Sequence, residues 1–146
     1  MNIKFRNITP EDASIISEFE KKIFGTCTDK ESYKKLCQRK ENIYVMAEDN
    51  HNAIAYCTIT ALYETADLCN IAVKEEYRRL HIASGLLSEC IIRCKGLGVT
   101  RILLEARESN LPALNFYKKM DFMEIGIRKG YYKEPCEDAV IMEKML

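Results

Sequence analysis

The chain has 146 residues, in which 22 Lys and Arg balance 22 Asp and Glu; 47% of residues are hydrophobic and 30% charged. That length and apolar content suit one folded domain spanning 1–146 and exclude a disordered chain. A net charge of zero argues against binding nucleic acid by bulk electrostatics, and no apolar run approaches the roughly 18 residues of a membrane span. Met1–Arg6 lacks the apolar core of a signal peptide, so a cytoplasmic location is expected.

In chain order, residues 2–8 predict a strand. Thr9-Pro10-Glu11-Asp12 predicts a helix start, with Pro at the first helical position and acids in the first turn. Ile15, Ile16, Phe19 and Ile23 continue that helix at helical spacing. A short helix is expected over 29–39. Residues 42–48 and 53–61 are rich in β-formers, and Asp49-Asn50-His51-Asn52 between them predicts a hairpin. A strand over about 65–73 follows. Leu86, Leu87, Cys90, Ile91, Cys94 and Leu97 then mark one face of a helix that stops at Gly96-Leu97-Gly98. Arg101–Ala106 carries a near-continuous apolar run, expected of a largely buried strand. Asn110-Leu111-Pro112 opens another helix with Asn110 as N-cap, and 122–129 and 138–145 predict two final strands. Strand–helix–strand from 65 to 106 is a βαβ unit, so its two strands should be parallel neighbours. The expected class is α/β (α+β under stricter labels), with a mixed sheet of about seven strands and about four helices.

Seven cysteines, an odd number with no CxxC pair, speak against both a disulfide framework and a zinc ribbon. Most are expected to behave as small buried hydrophobes. His51 and His81, the only histidines, lack metal-ligand spacing, so no metal is expected. The balanced charge also conceals a division. Residues 41–73 hold Glu41, Glu48, Asp49, Glu64 and Asp67 with no Lys or Arg, whereas six cations outnumber three acids over 74–101. A basic segment suits an anionic ligand, and acidic strands suit a cationic amine.

The loop Lys74–Gly85 carries Arg78 and Arg79 into a helix start. Backbone N–H groups, the helix dipole and guanidinium charge would together favour a phosphate, although solvated surface charges would look the same.

Asn70-Ile71-Ala72-Val73 followed by Arg78-Arg79-Leu80-His81-Ile82-Ala83 resembles motif A of the GNAT acetyltransferases, whose pyrophosphate loop reads Gln/Arg-x-x-Gly-x-Gly/Ala. Leu104-Glu105-Ala106-Arg107-Glu108-Ser109-Asn110, then Ala113 and Phe116-Tyr117-Lys118-Lys119-Met120-Asp121-Phe122, resembles the next motif. It is similar to the RimI branch, the N-terminal-alanine acetyltransferases of a ribosomal protein, with the pattern L-E-V-R-x-S-N…A…L-Y-x-x-x-G-F. The tail Arg128-Lys129-Gly130-Tyr131-Tyr132 and Glu137-Asp138-Ala139-Val140-Ile141-Met142 resembles that branch's R-x-x-Y-Y…E-D-A-x-x-M. The likeness is good from about 66 to 143 and vague before 60.

The resemblance implies a GNAT fold with acetyl-CoA in the split between two parallel strands. Ile71, Ala72 and Val73 would serve the pantetheine arm, Ile71 and Val73 through backbone groups. Arg78, Arg79, Leu80, His81, Ile82, Ala83 and Ser84 would hold the pyrophosphate. Asn110 would contact the cofactor arm, and Tyr117 would lie near the thioester sulfur. Glu105 would be the general base, Tyr117 the general acid, and Tyr131 and Tyr132 would shape the peptide cleft. The acceptor would be a primary amine, foremost the N-terminal α-amino group of a ribosomal protein, with a small amine or lysine side chain as the alternative. A monomer or weak homodimer is implied, with no direct nucleic-acid or membrane partner. Glu137 and Asp138 are read as surface charges, with attraction of a substrate ammonium as the alternative.

Chemistry fits those roles. An α-amino group with a pKa of about 8 is mostly ammonium at neutral pH and needs a base. A phenol stays protonated there and can donate to a departing thiolate, and N–H groups beside Val73 would suit an oxyanion. Direct attack leaves the cysteines without a catalytic task. Two family glycines are replaced, by His81 in the loop and by Asp121 before Phe122. These replacements keep open a drifted domain that binds a ligand or partner without catalysis. Histidine adds bulk where backbone must approach phosphate, although a negative φ would make this matter little. Asp tolerates the left-handed region that the second turn requires.

Overall fold

Alternation along the central strands sends side chains to two faces, and each face carries its own helices. In the computed structural model, which describes residues 1–146, β1 spans Ile3–Asn7, β2 Asn42–Asp49, β3 Asn52–Leu62, β4 Thr65–Val73, β5 Arg101–Arg107, β6 Met123–Lys133 and β7 Cys136–Met145. The helices are α1 (Ala13–Phe24), α2 (Lys30–Leu36), α3 (Ile82–Gly96) and α4 (Leu111–Lys119), with single 3₁₀ turns at Pro10–Asp12 and Glu75–Tyr77. Val45, Ala47, Cys57 and Ile59 point to one face and meet Leu86, Leu87 and Cys90 of α3 in a core that continues to Leu114 and Tyr117 of α4. Met46, Tyr56 and Ala72 point the other way, against Ile16 and Phe19 of α1 and Tyr33 of α2. Leu86 and Leu87 are fully buried, and burial of a side chain that size stabilises by roughly 1.5–3 kcal/mol.

The strands form one seven-stranded sheet in the order β1-β2-β3-β4-β5-β7-β6, mixed as expected. Only β4 and β5 are parallel, and they pair through just three positions: Thr65 with Arg101, Ala66 with Ile102 and Asp67 with Leu103. Beyond these the strands separate. Leu68 opposes Ile59 and Asn70 opposes Thr58 on β3, which leaves Cys69 as a bulge residue. A bulge bends its strand and increases its twist, so β4 follows β3 while β5 stays on β7 as far as Arg107 opposite Ala139. The result is a wedge opening at the carboxyl ends of both strands.

Helix termini obey local chemistry. At the first 3₁₀ turn, Asp12 accepts from the Thr9 N–H at 2.8 Å, and Arg6 locks the same carboxylate from β1 at 2.8 Å. Asn110 caps α4 by accepting from the Ala113 N–H at 3.3 Å. At the other end of α4, Phe122 N–H reaches the Tyr117 carbonyl at 2.9 Å and Asp121 N–H the Lys118 carbonyl at 3.1 Å. This is a Schellman closure, with Asp121 at φ +68° in the left-handed position that favours glycine. The Phe122 ring then lies edge-on to Tyr117 with centroids 5.7 Å apart, so the same turn that ends the helix orients Tyr117. Asp121→Gly should raise the Tm by about 3 °C in a thermal melt, because glycine removes the left-handed strain; a lowered Tm would show that the Asp121 side chain stabilises the turn.

Several boundaries differ from the sequence expectation. The second helix ends at Leu36 rather than 39, because Gln38 and Arg39 close tight turns onto Lys35 and Leu36. Leu97, expected on the apolar stripe of α3, follows the helix end and is exposed. The last two strands are longer than predicted, since β6 absorbs extra residues as irregularities between Glu124 and Gly126 and between Arg128 and Tyr132. The cysteine expectation is corrected: Cys57, Cys90 and Cys94 are buried, Cys37 is half-buried, and Cys27, Cys69 and Cys136 are exposed. The exposed three lie in the α1–α2 connection, on the β4 bulge and at the start of β7, positions that neither helical layer covers. No helix is long and apolar enough to cross a membrane.

Candidate active site

The wedge between β4 and β5 widens into a cleft of about 970 Å³. Its walls are residues 67–73 of β4 and 103–107 of β5, with Ile23 and Phe24 from the end of α1, Phe116 and Tyr117 from α4, and Arg128, Tyr131 and Tyr132 from β6. Along β5, Leu104 and Ala106 enter the α3–α4 core, so Glu105 projects from the opposite face. Tyr117 belongs to the α3–α4 core. The split therefore brings together a carboxylate from one face of the sheet and a phenol from the other.

Glu105 has asymmetric surroundings. Its Oε1 lies 3.6 Å from Arg128 Nε, whereas Oε2 is buried without any hydrogen-bond partner. An unpaired buried carboxylate oxygen is costly, and native structures retain one where another partner, a ligand or water, completes it. Burial pushes the Tyr117 phenol well above its ordinary pKa, helped by the neighbouring Cys57 and Tyr132, so it is a neutral donor throughout the physiological range.

Tyr131 and Tyr132 meet edge to face with ring centroids 5.0 Å apart. The Glu105 carboxylate opposes ionisation of Tyr131, and burial followed by Glu105 does the same for Tyr132. Arg107 stacks 4.3 Å from the Tyr132 ring centroid and donates to Glu137 at 3.1 Å. Glu137 Oε1 in turn accepts from the Ser109 N–H at 2.6 Å, and Ser109 followed by Arg107 holds its pKa down. Asp138 accepts from the Gly130 N–H at 2.8 Å. The expectation of plain surface charges at Glu137 and Asp138 is thus corrected: both are partly buried, and Glu137 pins the β6–β7 hairpin to the β5–α4 turn while the Asp138 carboxylate ties β6 to β7 within the hairpin.

The β4–α3 loop is anchored by Lys74 N–H to the Ile54 carbonyl at 2.9 Å, by Tyr77 hydroxyl to Asp49 at 3.1 Å, and by Arg78 Nε to the Val73 carbonyl at 3.1 Å. Ile71, Ala72, Val73, Arg78, Ala83 and Asn110 line the cleft. Ile82 is buried in the α3 core, and Arg79, Leu80 and His81 lie exposed at the turn. Ser84 Oγ donates to the His81 carbonyl at 2.9 Å. Arg79 and His81 have φ of +62° and +60°. The negative-φ case that would have made His81 inconsequential is therefore excluded: histidine occupies a glycine-like conformation at the N-cap of α3. Left-handed residues in such a turn collect N–H groups into a concavity, and the first turn of a helix has N–H groups without intrahelical acceptors.

Residues 13–122 match the Acetyltransferase (GNAT) family. The chain belongs to that family. As a GNAT enzyme it is an acetyl-CoA-dependent N-acetyltransferase. It is 36% identical over 138 residues, 94% of this chain and 91% of the other, to a Bacillus subtilis protein provisionally named a ribosomal protein bS18-alanine N-acetyltransferase. The crystal structure of the ribosomal-protein-S18-alanine N-acetyltransferase from Escherichia coli superposes with a TM-score of 0.87 at 25% identity, covering 99% of this chain and 94% of that one. An N-acetyltransferase from Thermoplasma acidophilum, solved in complex with coenzyme A, shares the fold at 20% identity, with a TM-score of 0.82 and complete coverage of both chains.

The residues of this GNAT chain fit the cosubstrate. Past Asp67 the β4 edge has no strand partner on the β5 side, so backbone groups are available to an amide-bearing arm. The open first turn of α3 and the Arg78–Arg79 loop suit a pyrophosphate. Sequence reasoning gave no role to Arg128, Ile23 or Phe24. Arg128 stands opposite Ala139, which also opposes Arg107, so strand register carries that signal once the β6 irregularity is known. Ile23 and Phe24 reach the cleft only through the packing of α1 on the sheet, which has no local signature.

Proposed function

We propose that this domain transfers an acetyl group from acetyl-CoA to the N-terminal α-amino group of a ribosomal protein, with Glu105 as general base and Tyr117 as general acid. The observation that carries the reading is the buried, unpartnered Oε2 of Glu105 in the wall of a cleft that Tyr117 enters from the other side. The similarity along 94% of the chain to the bS18-alanine enzyme of Bacillus subtilis supports the acceptor class.

Acetyl-CoA supplies an activated acyl thioester; this chain positions and moves protons around it. The backbone of Ile71 and Val73 aligns the arm, Arg78, Arg79 and the first turn of α3 neutralise the pyrophosphate, and Asn110 adds a contact at the start of α4. Glu105 Oε2 removes a proton from the acceptor ammonium, directly or through one water. The Tyr117 hydroxyl donates to the departing sulfur, and the unpaired β4 edge offers N–H groups to developing charge on oxygen. Tyr131 and Tyr132 hold the acceptor chain. The neighbouring thiols are unsuited to carry the acetyl group: partial loss of hydration in the cleft wall raises the Cys69 thiol, and Cys90 followed by burial raises Cys57, while a thiol nucleophile needs the opposite shift.

An acceptor panel tests this. Given acetyl-CoA, an alanine-starting peptide should be acetylated at its α-amine with a kcat/KM at least about tenfold above an N-blocked lysine peptide or a polyamine, a difference of about 1.4 kcal/mol. Exclusive acetylation of the polyamine would overturn the acceptor assignment. No stabilisation by saturating acetyl-CoA, with no transfer to any amine, would favour a binding domain without activity.

A further inference from the structure

We infer that Arg128 is a positioning residue for the acceptor: its guanidinium, set beside Glu105 in the wedge, offsets the carboxylate's hold on an ammonium and so favours the neutral, nucleophilic form of the bound amine. The inference rests on the reading of Glu105 as general base.

A lone carboxylate facing a primary amine has a drawback. It stabilises the ammonium form, which cannot attack, and raises the proton affinity of the group it must deprotonate. A cation beside the carboxylate acts in the opposite sense on the amine. Arg128 is the cation available for this. Its Nε lies 3.6 Å from Glu105 Oε1, and Oε2 of the same carboxylate has no hydrogen-bond partner. That contact is its sole ion pair, and the side chain remains more than half exposed, so the guanidinium has capacity to respond to an incoming charge.

The other charged and titratable groups around the amine position do not substitute for it. Arg107 on β5 is committed to Glu137, to the Pro135 carbonyl at 3.0 Å and to the Tyr132 ring. Tyr131 and Tyr132 on β6 and Tyr117 on α4 are neutral phenols, each with its pKa raised. The thiols of Cys57 on β3 and Cys69 on β4 are likewise held protonated. Asp67 on β4, also in the cleft lining, adds negative charge and makes a compensating cation more necessary.

Local backbone explains how Arg128 reaches β5 across β7. It stands opposite Ala139, whose small side chain lets the guanidinium pass over β7. Immediately afterwards the strand register breaks: Gly130 turns at φ +61° and Asp138 holds its N–H. This irregularity directs Arg128, Tyr131 and Tyr132 into one cleft.

The test is kcat against pH at saturating acetyl-CoA and saturating alanine-starting peptide, since kcat reports groups in the enzyme–substrate complex. For Arg128→Gln the midpoint of the rise should move up by about one pH unit, with kcat at pH 7 about tenfold lower and converging on wild type at high pH. The peptide KM at pH 7 should not rise, because a repelling cation has gone, and Arg128→Lys should restore most of the midpoint. The affinity for acetyl-CoA should be unchanged. An unmoved midpoint, an equal loss at every pH, or a Lys variant that shifts as far as the Gln variant would overturn the inference. So would weakened acetyl-CoA binding, which would assign Arg128 to the cosubstrate. Failure of the underlying reading shows separately, as a Glu105→Gln enzyme whose kcat at pH 7 matches wild type.

Discussion

Glu105→Gln should lower kcat at pH 7 by about 10²–10⁴-fold and recover part of that loss as the pH approaches 9. The sign follows from the acceptor. Its amine, with a reference pKa of about 8, is mostly ammonium at pH 7 and mostly free at pH 9, so the need for a base fades as solvent takes its place. Glutamine preserves the volume of a side chain that is largely buried and places an amide where Oε2 now lacks a partner. Acetyl-CoA binding should therefore survive, since none of the groups assigned to the arm or the pyrophosphate is touched. A pH–rate series on the purified variant, with cosubstrate affinity measured in parallel, checks both points. An equal loss at every pH would remove the base role and leave Glu105 as a residue that shapes the cleft.

Tyr117→Phe should cost about 10²–10³-fold in kcat while leaving the Tm within a few degrees of wild type. Burial opposes the phenolate so strongly that Tyr117 does not persist as an anion. Its contribution is a hydrogen bond that strengthens as charge develops on sulfur and then a proton that leaves with the thiol, the phenol being reprotonated through water by the proton taken from the amine. The ring itself packs against Phe116 and Phe122, and phenylalanine keeps that packing. Steady-state kinetics with a thermal melt separates the two contributions: unchanged kcat would remove Tyr117 from the chemistry, and a large fall in Tm would make its role structural.

Strand alternation, helix periodicity and cap residues made most of this architecture legible before any coordinates. The parallel relation of β4 and β5 followed from the strand–helix–strand order, and Asn110 was recognisable as a cap because its short side-chain oxygen can accept from the unpaired N–H groups of a helix start. The location of Glu105 at the wedge came from motif spacing, since the apolar run around it reads equally well as a strand with an incidental acid. What stayed hidden depends on departures from period two. The Cys69 bulge and the irregularity after Arg128 shift which side chains share a face, and no propensity marks either. Glu137 shows the complementary difficulty: a carboxylate beside another acid reads as solvated until the Ser109 N–H and Arg107 are seen to enclose it. His81 was visible as a missing glycine, but only the backbone reveals that it retains the glycine-like φ.

The three-position ladder between β4 and β5 has a mechanical meaning. Load passes through a sheet along its hydrogen-bonded ladders, and this one is interrupted where the two halves of the protein meet. Helix α3 rides on β2, β3 and β4, and Leu114 and Tyr117 of α4 join Val140 and Met142 of β7 in the same core as Leu86, Leu87 and Cys90 of α3. Beyond Asp67 that shared core, and not a strand ladder, joins the two halves. A molecule lying along the open edge of β4 and touching α4 would add a second bridge across the gap. On the reading proposed above, the cosubstrate would be a structural tie as well as a reagent.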